Sequence, residues 1–232
     1  MRSFFDRKRG KPFLVLDIED DSVKSLVLRR DGDGLTLMES NSGEYDENHI
    51  EESILRVVKS SYGRMPVLLG LPSSVFKAKA VLHYLERDGS KIISRQEESS
   101  IIQKVIQDTK NKISQEFMRD YGIMTKDIQW ANFKILERKL NGYPVYKLAG
   151  FDGEEIEYKV LGTYLPKNDY LKIRSALDEL GLKVAKITHI AEALAEVNYP
   201  KDLRNIKNLT KGLEKSPYLP TLLMSYYAKE IF

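Results

Sequence analysis

The chain contains no cysteine. Disulfides and thiolate metal sites are therefore excluded, and the absence suits a reducing compartment. No apolar run is long enough to span a bilayer. The basic N-terminus MRSFFDRKRGKPF lacks the long apolar stretch of a secretory signal. Excess charge is small: 37 Lys and Arg face 34 Asp and Glu, a net +3 over 232 residues. Gripping a phosphate backbone needs a concentrated basic face, so no nucleic-acid partner is expected. Histidine is sparse, and His49, His83 and His189 show no metal-ligand spacing. No G-x-S-x-G surrounds Ser73-Ser74, and no carboxylates pair as acid and base. No internal repeat of fixed period is found.

What is present describes a soluble globular protein. Charged residues make up 31% and hydrophobic residues 42%, enough for one large domain or two small ones. The leader, residues 1–12, carries Arg2, Arg7, Lys8, Arg9 and Lys11 beside Phe4 and Phe5. It reads as a solvated arm or as a contact with anionic lipid. Apolar runs predict strands at 13–18, 23–30 and 35–38, a three-stranded meander with Asp-Gly turn chemistry after the second strand. A helix over 48–60 and a nearly all-apolar strand at 67–72 follow, the latter buried on both faces. The order is β-β-β-α-β.

Strands are expected at 76–84 and 91–94, then a long amphipathic helix from 96 to Tyr121-Gly122. Further strands are expected at 128–137, 143–149 and 156–164, with Asn141-Gly142 as a hairpin turn. Trp130 is read as packing in its strand rather than as a ligand platform, and His189 as a core histidine. Asn168 is expected to cap a helix over 169–180 that Gly181 ends; a strand over 182–190 and a helix over 191–197 follow. Residues 201–215 are polar and Lys-rich, a solvated face or linker.

The unusual feature is the first turn. In VLDIEDDSVKSLVL four carboxylates, Asp17, Glu19, Asp20 and Asp21, fall within residues 17–21, followed by Ser22 and Lys24. This segment is similar to the phosphate-binding hairpin of the actin-like bacterial cell-division family FtsA, whose pattern is roughly L-D-I-G-[ST]-[ST]-x-V-K-x-L. VLLGLPSS resembles the buried strand that follows, and YLKIRSALDELGLKVAKITHIAEALAEV resembles the return to the first lobe. There Glu192 keeps the family's Glu and Ala193 replaces its Pro. The resemblance covers residues 13–197, and the pilus-assembly relative PilM is its second match.

The resemblance implies an α/β protein: an actin-like, ribonuclease H-like first lobe over 13–95 and 166–197, with an SHS2-type α+β insertion over 96–165. It also implies an ATP site that this hairpin departs from. Glu19 stands at the Gly position, so a Cβ crowds the backbone where a phosphate would approach. Asp17 matches the family's strand-end Asp and Lys24 its Lys. Each like-charge pair at about 4 Å costs on the order of several kcal/mol at surface-like screening, so the turn repels a polyphosphate. Three readings stand: an acidic turn without ligand, a divalent cation held by Asp17, Asp20 and Asp21, or an ATP/Mg site. After Val197 no second D-x-G-x-x-T hairpin is found, so the second lobe is expected to be missing and the chain to be a truncated or degenerate member.

Residues 198–232 form a linker and an apolar end. Leu222, Leu223, Tyr226, Tyr227 and Ile231 would share one face of a helix that packs on the core or docks on a membrane or partner. The expected function is a non-catalytic scaffold of the division machinery, cytoplasmic, either free or at the cytoplasmic face of the inner membrane, with division-ring or pilus-assembly proteins, or further copies of itself, as partners. The alternatives are a PilM-like pilus-assembly component and an actin-like ATPase completed by another chain.

Overall fold

The computed structural model describes residues 10–31, 34–72, 74–89 and 91–188. They form a mixed α/β protein with two sheets and three α-helices. The chain divides into two compact units, one from residues before Lys77 and after Lys167, the other Lys77–Lys167.

The first unit is built on a five-stranded sheet, order β3-β2-β1-β4-β9. Strands β1 (Pro12–Ile18), β2 (Ser22–Asp31) and β3 (Gly34–Glu44) pair antiparallel; β4 (Pro66–Gly70) and β9 (Lys183–Thr188) join parallel to β1. Phe13, Leu14, Val15, Leu16 and Ile18 are all buried, as a run without alternation requires. The β-β-β-α-β order read from the sequence is the observed order.

Helix α1 is Ile50–Leu55, shorter than the expected 48–60. The Val57 carbonyl explains the stop: it accepts the Ser25 hydroxyl at 2.7 Å and the Asn41 amide at 3.4 Å, so the sheet takes an acceptor the next turn would need. A 3-10 turn at Ser60–Tyr62 follows. Helix α3 is Lys167–Glu179, so Asn168 lies inside it rather than capping it; Gly181, at φ 69°, closes it in the left-handed region.

The second unit packs helix α2 (Arg95–Tyr121) on a four-stranded sheet, order β5-β8-β6-β7: β5 (Lys77–Glu86), β6 (Ile128–Leu140), β7 (Tyr143–Pro144) and β8 (Glu155–Pro166). Ser94 caps α2, accepting the Glu97 N–H at 3.1 Å, and Gly122 ends it at φ 69°. Because β5 pairs with β8 along its whole length, this unit opens at residue 77 and not at the expected 96. No strand forms over 91–94; Ile93 only exchanges backbone bonds with Gly150 and Phe151. The expected strand 143–149 shrinks to β7, since Pro144 has no N–H and the Glu98 carboxylate captures the Leu148 and Ala149 N–H groups at 3.0 and 3.1 Å. The Asn141-Gly142 turn forms as expected, with φ 49° and 80°, the pair of positive values of a type I′ hairpin.

Strand β6 carries two bulges, at the Trp130/Asn132 and Ile135/Glu137 steps. They change which side chains face α2. Trp130, Phe133, Ile135 and Arg138 lie opposite Tyr164, Gly162, Val160 and Tyr158 of β8, all on one face. Trp130 packs between Phe133 and Tyr164, ring centroids 5.3 and 5.6 Å away, as a packing residue.

Candidate functional site

The acidic turn joins β1 to β2, the two strands whose pairing sets Asp17 opposite Lys24. Backbone closure is ordinary: the Glu19 N–H donates to the Ser22 carbonyl at 2.7 Å, and no residue of the turn has positive φ. A glycine is therefore not required for the bend itself. The side chains then separate. Glu19 folds back, so that one carboxylate oxygen accepts the Ser22 hydroxyl at 2.8 Å and lies 2.5 Å from the Lys24 ammonium. The Lys24 side chain is 8% exposed and that of Glu19 33%, so the pair is partly shielded from water and less screened than a surface pair. Asp17 is buried at the end of β1. Asp20 accepts the hydroxyl of Ser74, from the turn after β4. The Asp21 carbonyl accepts the Tyr45 N–H at 3.1 Å.

The sequence places three carboxylates in the way of an incoming phosphate; the structure disperses them. It does not gather Asp17, Asp20 and Asp21 into a cation site, and among the described residues no group of three or more His, Cys, Asp or Glu could hold a metal ion. Ser22 and Lys24, two side-chain donors beside the turn, are engaged by the protein's own Glu19 carboxylate.

Beside the turn lies a cleft of about 530 Å³, lined by Asp20, Tyr45, Asp46, Glu47, Asn48, Pro72, Ser74, Val75 and Ile173. Its charged lining residues are all carboxylates, so the cleft is wrong in sign for an anion. Asp46 carries a partner of its own: its Oδ2 lies 2.9 Å from His49 Nδ1. That hydrogen bond holds the Asp46 carboxyl below its ordinary range and raises the imidazole of His49. Burial, with Glu47 and Asp46 nearby, pushes the Tyr45 phenol up. Sequence reasoning missed Ser74, which it read as a plain turn residue, and the contribution of 45–48; both depend on contacts far along the chain.

Of the other sequence candidates, His49 sits at the start of α1, and His83 is buried in the second unit against Thr109. His189, Glu192, Ala193 and the apolar set Leu222, Leu223, Tyr226, Tyr227 and Ile231 lie outside the described residues. Within those described, no helix is long and apolar enough to cross a membrane.

No family model and no curated protein matches the chain. Two solved structures share its outline. One is the PilM-PilN type IV pilus biogenesis complex, at 13% identity and a TM-score of 0.48, covering 83% of this chain and 50% of that one. The other is the cytoplasmic domain of EpsL, an inner-membrane component of the type II secretion system of Vibrio cholerae, at 13% identity and a TM-score of 0.40, covering 82% and 59%. This chain thus spans about half the length of the first.

Proposed function

We propose that this chain is a non-catalytic assembly protein with an actin-like first lobe and an SHS2-type insertion over 77–167, working in a pilus-assembly or secretion machine rather than in the division ring. The observation that supports the non-catalytic reading is the Glu19 carboxylate seated on Ser22 and Lys24. A nucleotide phosphate would have to displace it and enter beside Asp20, Asp46 and Glu47. Repulsion between a phosphate and each carboxylate at about 4 Å costs on the order of several kcal/mol without a metal. The sequence resemblance supplies the scaffold role, with pilus assembly as its second match. The PilM-PilN structure decides only which bait is tried first.

The test has two arms. Thermal unfolding is followed with Mg·ATP added to millimolar concentration. A site present at a hundred times its dissociation constant stabilises by about 2.7 kcal/mol; no shift is expected, and a dose-dependent rise would return the chain to the nucleotide-binding class. In the second arm the purified chain is titrated with a PilN-type protein from the same genome. Binding supports the pilus reading; binding to division-ring proteins instead would restore the division reading.

A further inference from the structure

Helix α2 covers the sheet of the second unit unevenly, resting mainly over β8 and β5. On the β6 side the same face stays half-exposed, although its residues are those of a core: Trp130, Phe133 and Ile135. Apart from the contact with β7 at Lys139 and Leu140, the outer edge of β6 has no strand neighbour among the described residues. The bulges that turn Trp130, Phe133, Ile135 and Arg138 to one face interrupt the ladder, which discourages simple strand addition along that edge. What remains is a half-exposed apolar strip of β6, with Lys110 of α2 standing over its Phe133 ring.

Two cations mark it. Lys110 Nζ stands 5.3 Å from the centroid of the Phe133 ring. The Arg138 guanidinium lies 5.7 Å from the Tyr158 ring and donates to the Tyr146 carbonyl. Both of these ring and carbonyl partners are neutral; the Tyr158 phenol also feels the Glu98 carboxylate, which is engaged with the Leu148 and Ala149 N–H groups. The nearest acid along β6, Glu137, is 3.4 Å from Lys139. Half-buried aromatics beside an arginine have the make-up of an interface centre, and a lysine such as Lys110 suits its charged rim.

We infer that this half-exposed face of β6 docks a partner-protein segment that combines apolar side chains with Asp or Glu. The apolar side chains lie along Trp130, Phe133 and Ile135, and the carboxylates meet Lys110 and Arg138. The inference deepens the assembly reading and rests on it for the existence of a partner.

A displayed library of random 16-residue peptides, panned against the full chain, tests it. Enriched sequences should pair Asp or Glu with Leu, Phe or Trp. A synthetic peptide of the enriched sequence should lose about tenfold in affinity to Lys110→Glu and to Arg138→Glu, and nothing to Lys172→Glu in the other unit. Thermal unfolding checks each variant; if Arg138→Glu does not fold, Lys110→Glu decides alone. No enrichment, enrichment of basic or uncharged sequences, or equal affinity for Lys110→Glu would overturn the inference. So would a dimer by light scattering that Lys110→Glu dissociates, or retention on phosphatidylglycerol vesicles that Lys110→Glu abolishes. The peptide result depends on neither Mg·ATP nor a PilN-type bait, so failure of the assembly reading and failure of the docking face are read separately.

Discussion

His83 Nε2 lies 2.7 Å from the hydroxyl oxygen of Thr109, across the packed face between β5 and α2. Thr109 spends its own proton on the Val105 carbonyl at 2.8 Å, so its oxygen must accept and His83 must donate from Nε2. The ring is buried, and burial, followed by the charge of Lys112, holds its pKa below the ordinary value; Asp108 opposes weakly. A second proton would place a cation beside Tyr158 and in the same row as Arg138.

Acid should therefore loosen the second unit. The folded-state pKa is depressed, so the unfolded chain takes up the proton first as pH falls through about 6.5. Stability is full above that pH and declines below it, until the folded form titrates as well. Melting curves between pH 8 and 5 should show this fall, and His83→Gln, which keeps a donor for Thr109 and cannot ionise, should flatten it. An unchanged slope in the variant would show that other groups control the fall.

The Glu19–Lys24 contact lends itself to a double-mutant cycle. Lys24→Met leaves a partly buried carboxylate with Ser22 as its remaining donor, and Glu19→Gln leaves the buried ammonium without its counter-charge. Each single variant should lose stability, while the pair of changes together should lose less than the sum. A coupling of about 1 kcal/mol in urea unfolding is expected for a contact of this exposure. Additive losses would mean that Glu19 does not hold Lys24 in solution.

A methyl group on Gly162 would meet Ile113 Cδ1 at 2.8 Å and the Phe133 ring at 3.1 Å. Gly162→Ala should destabilise the second unit by about 1–3 kcal/mol through overpacking. It should also change the emission of Trp130, since the displaced Phe133 ring is its neighbour and the chain has one tryptophan. Fluorescence and unfolding of the same sample read both effects.

Asn141 does more than turn the hairpin. Its side-chain oxygen accepts the N–H groups of Glu154 and Glu155, each at 3.0 Å, tying the tip of β6 to the start of β8. Asn141→Ala should cost about 1–3 kcal/mol, from two lost partners and a residue less tolerant of positive φ. Asn141→Asp keeps an acceptor and should cost less. Equal losses for the two variants would make the backbone, not the acceptor, the source.

The strand order of the first unit was legible because each of its signals is local: unbroken apolar runs for β1 and β4, and a closing glycine for α3. Interruptions by distant groups were not legible. The length of α1 is decided by Ser25 and Asn41, which meet Val57 only after the sheet has formed. The place where the second unit opens is decided by the pairing of β5 with β8, which joins Lys77 to Tyr164, 87 positions further on. At the candidate site the sequence showed the charge and the missing glycine. It could not show Glu19 turning inward, because that depends on Lys24 being buried on the neighbouring strand. The bulges of β6 left no trace in the alternation of WANFKILER, and with them the shared face of Trp130, Phe133, Ile135 and Arg138 was hidden.

Lys77 begins β5 directly across from Tyr164, near the close of β8. The segment between them thus leaves and returns at adjoining points of one sheet, like a bead threaded on a closed loop. Such a module can be lost, replaced or transplanted as one uninterrupted stretch of gene, because a short linker bridges the gap it leaves. Residues 77–167 are accordingly a cassette that can be moved onto another scaffold in one piece.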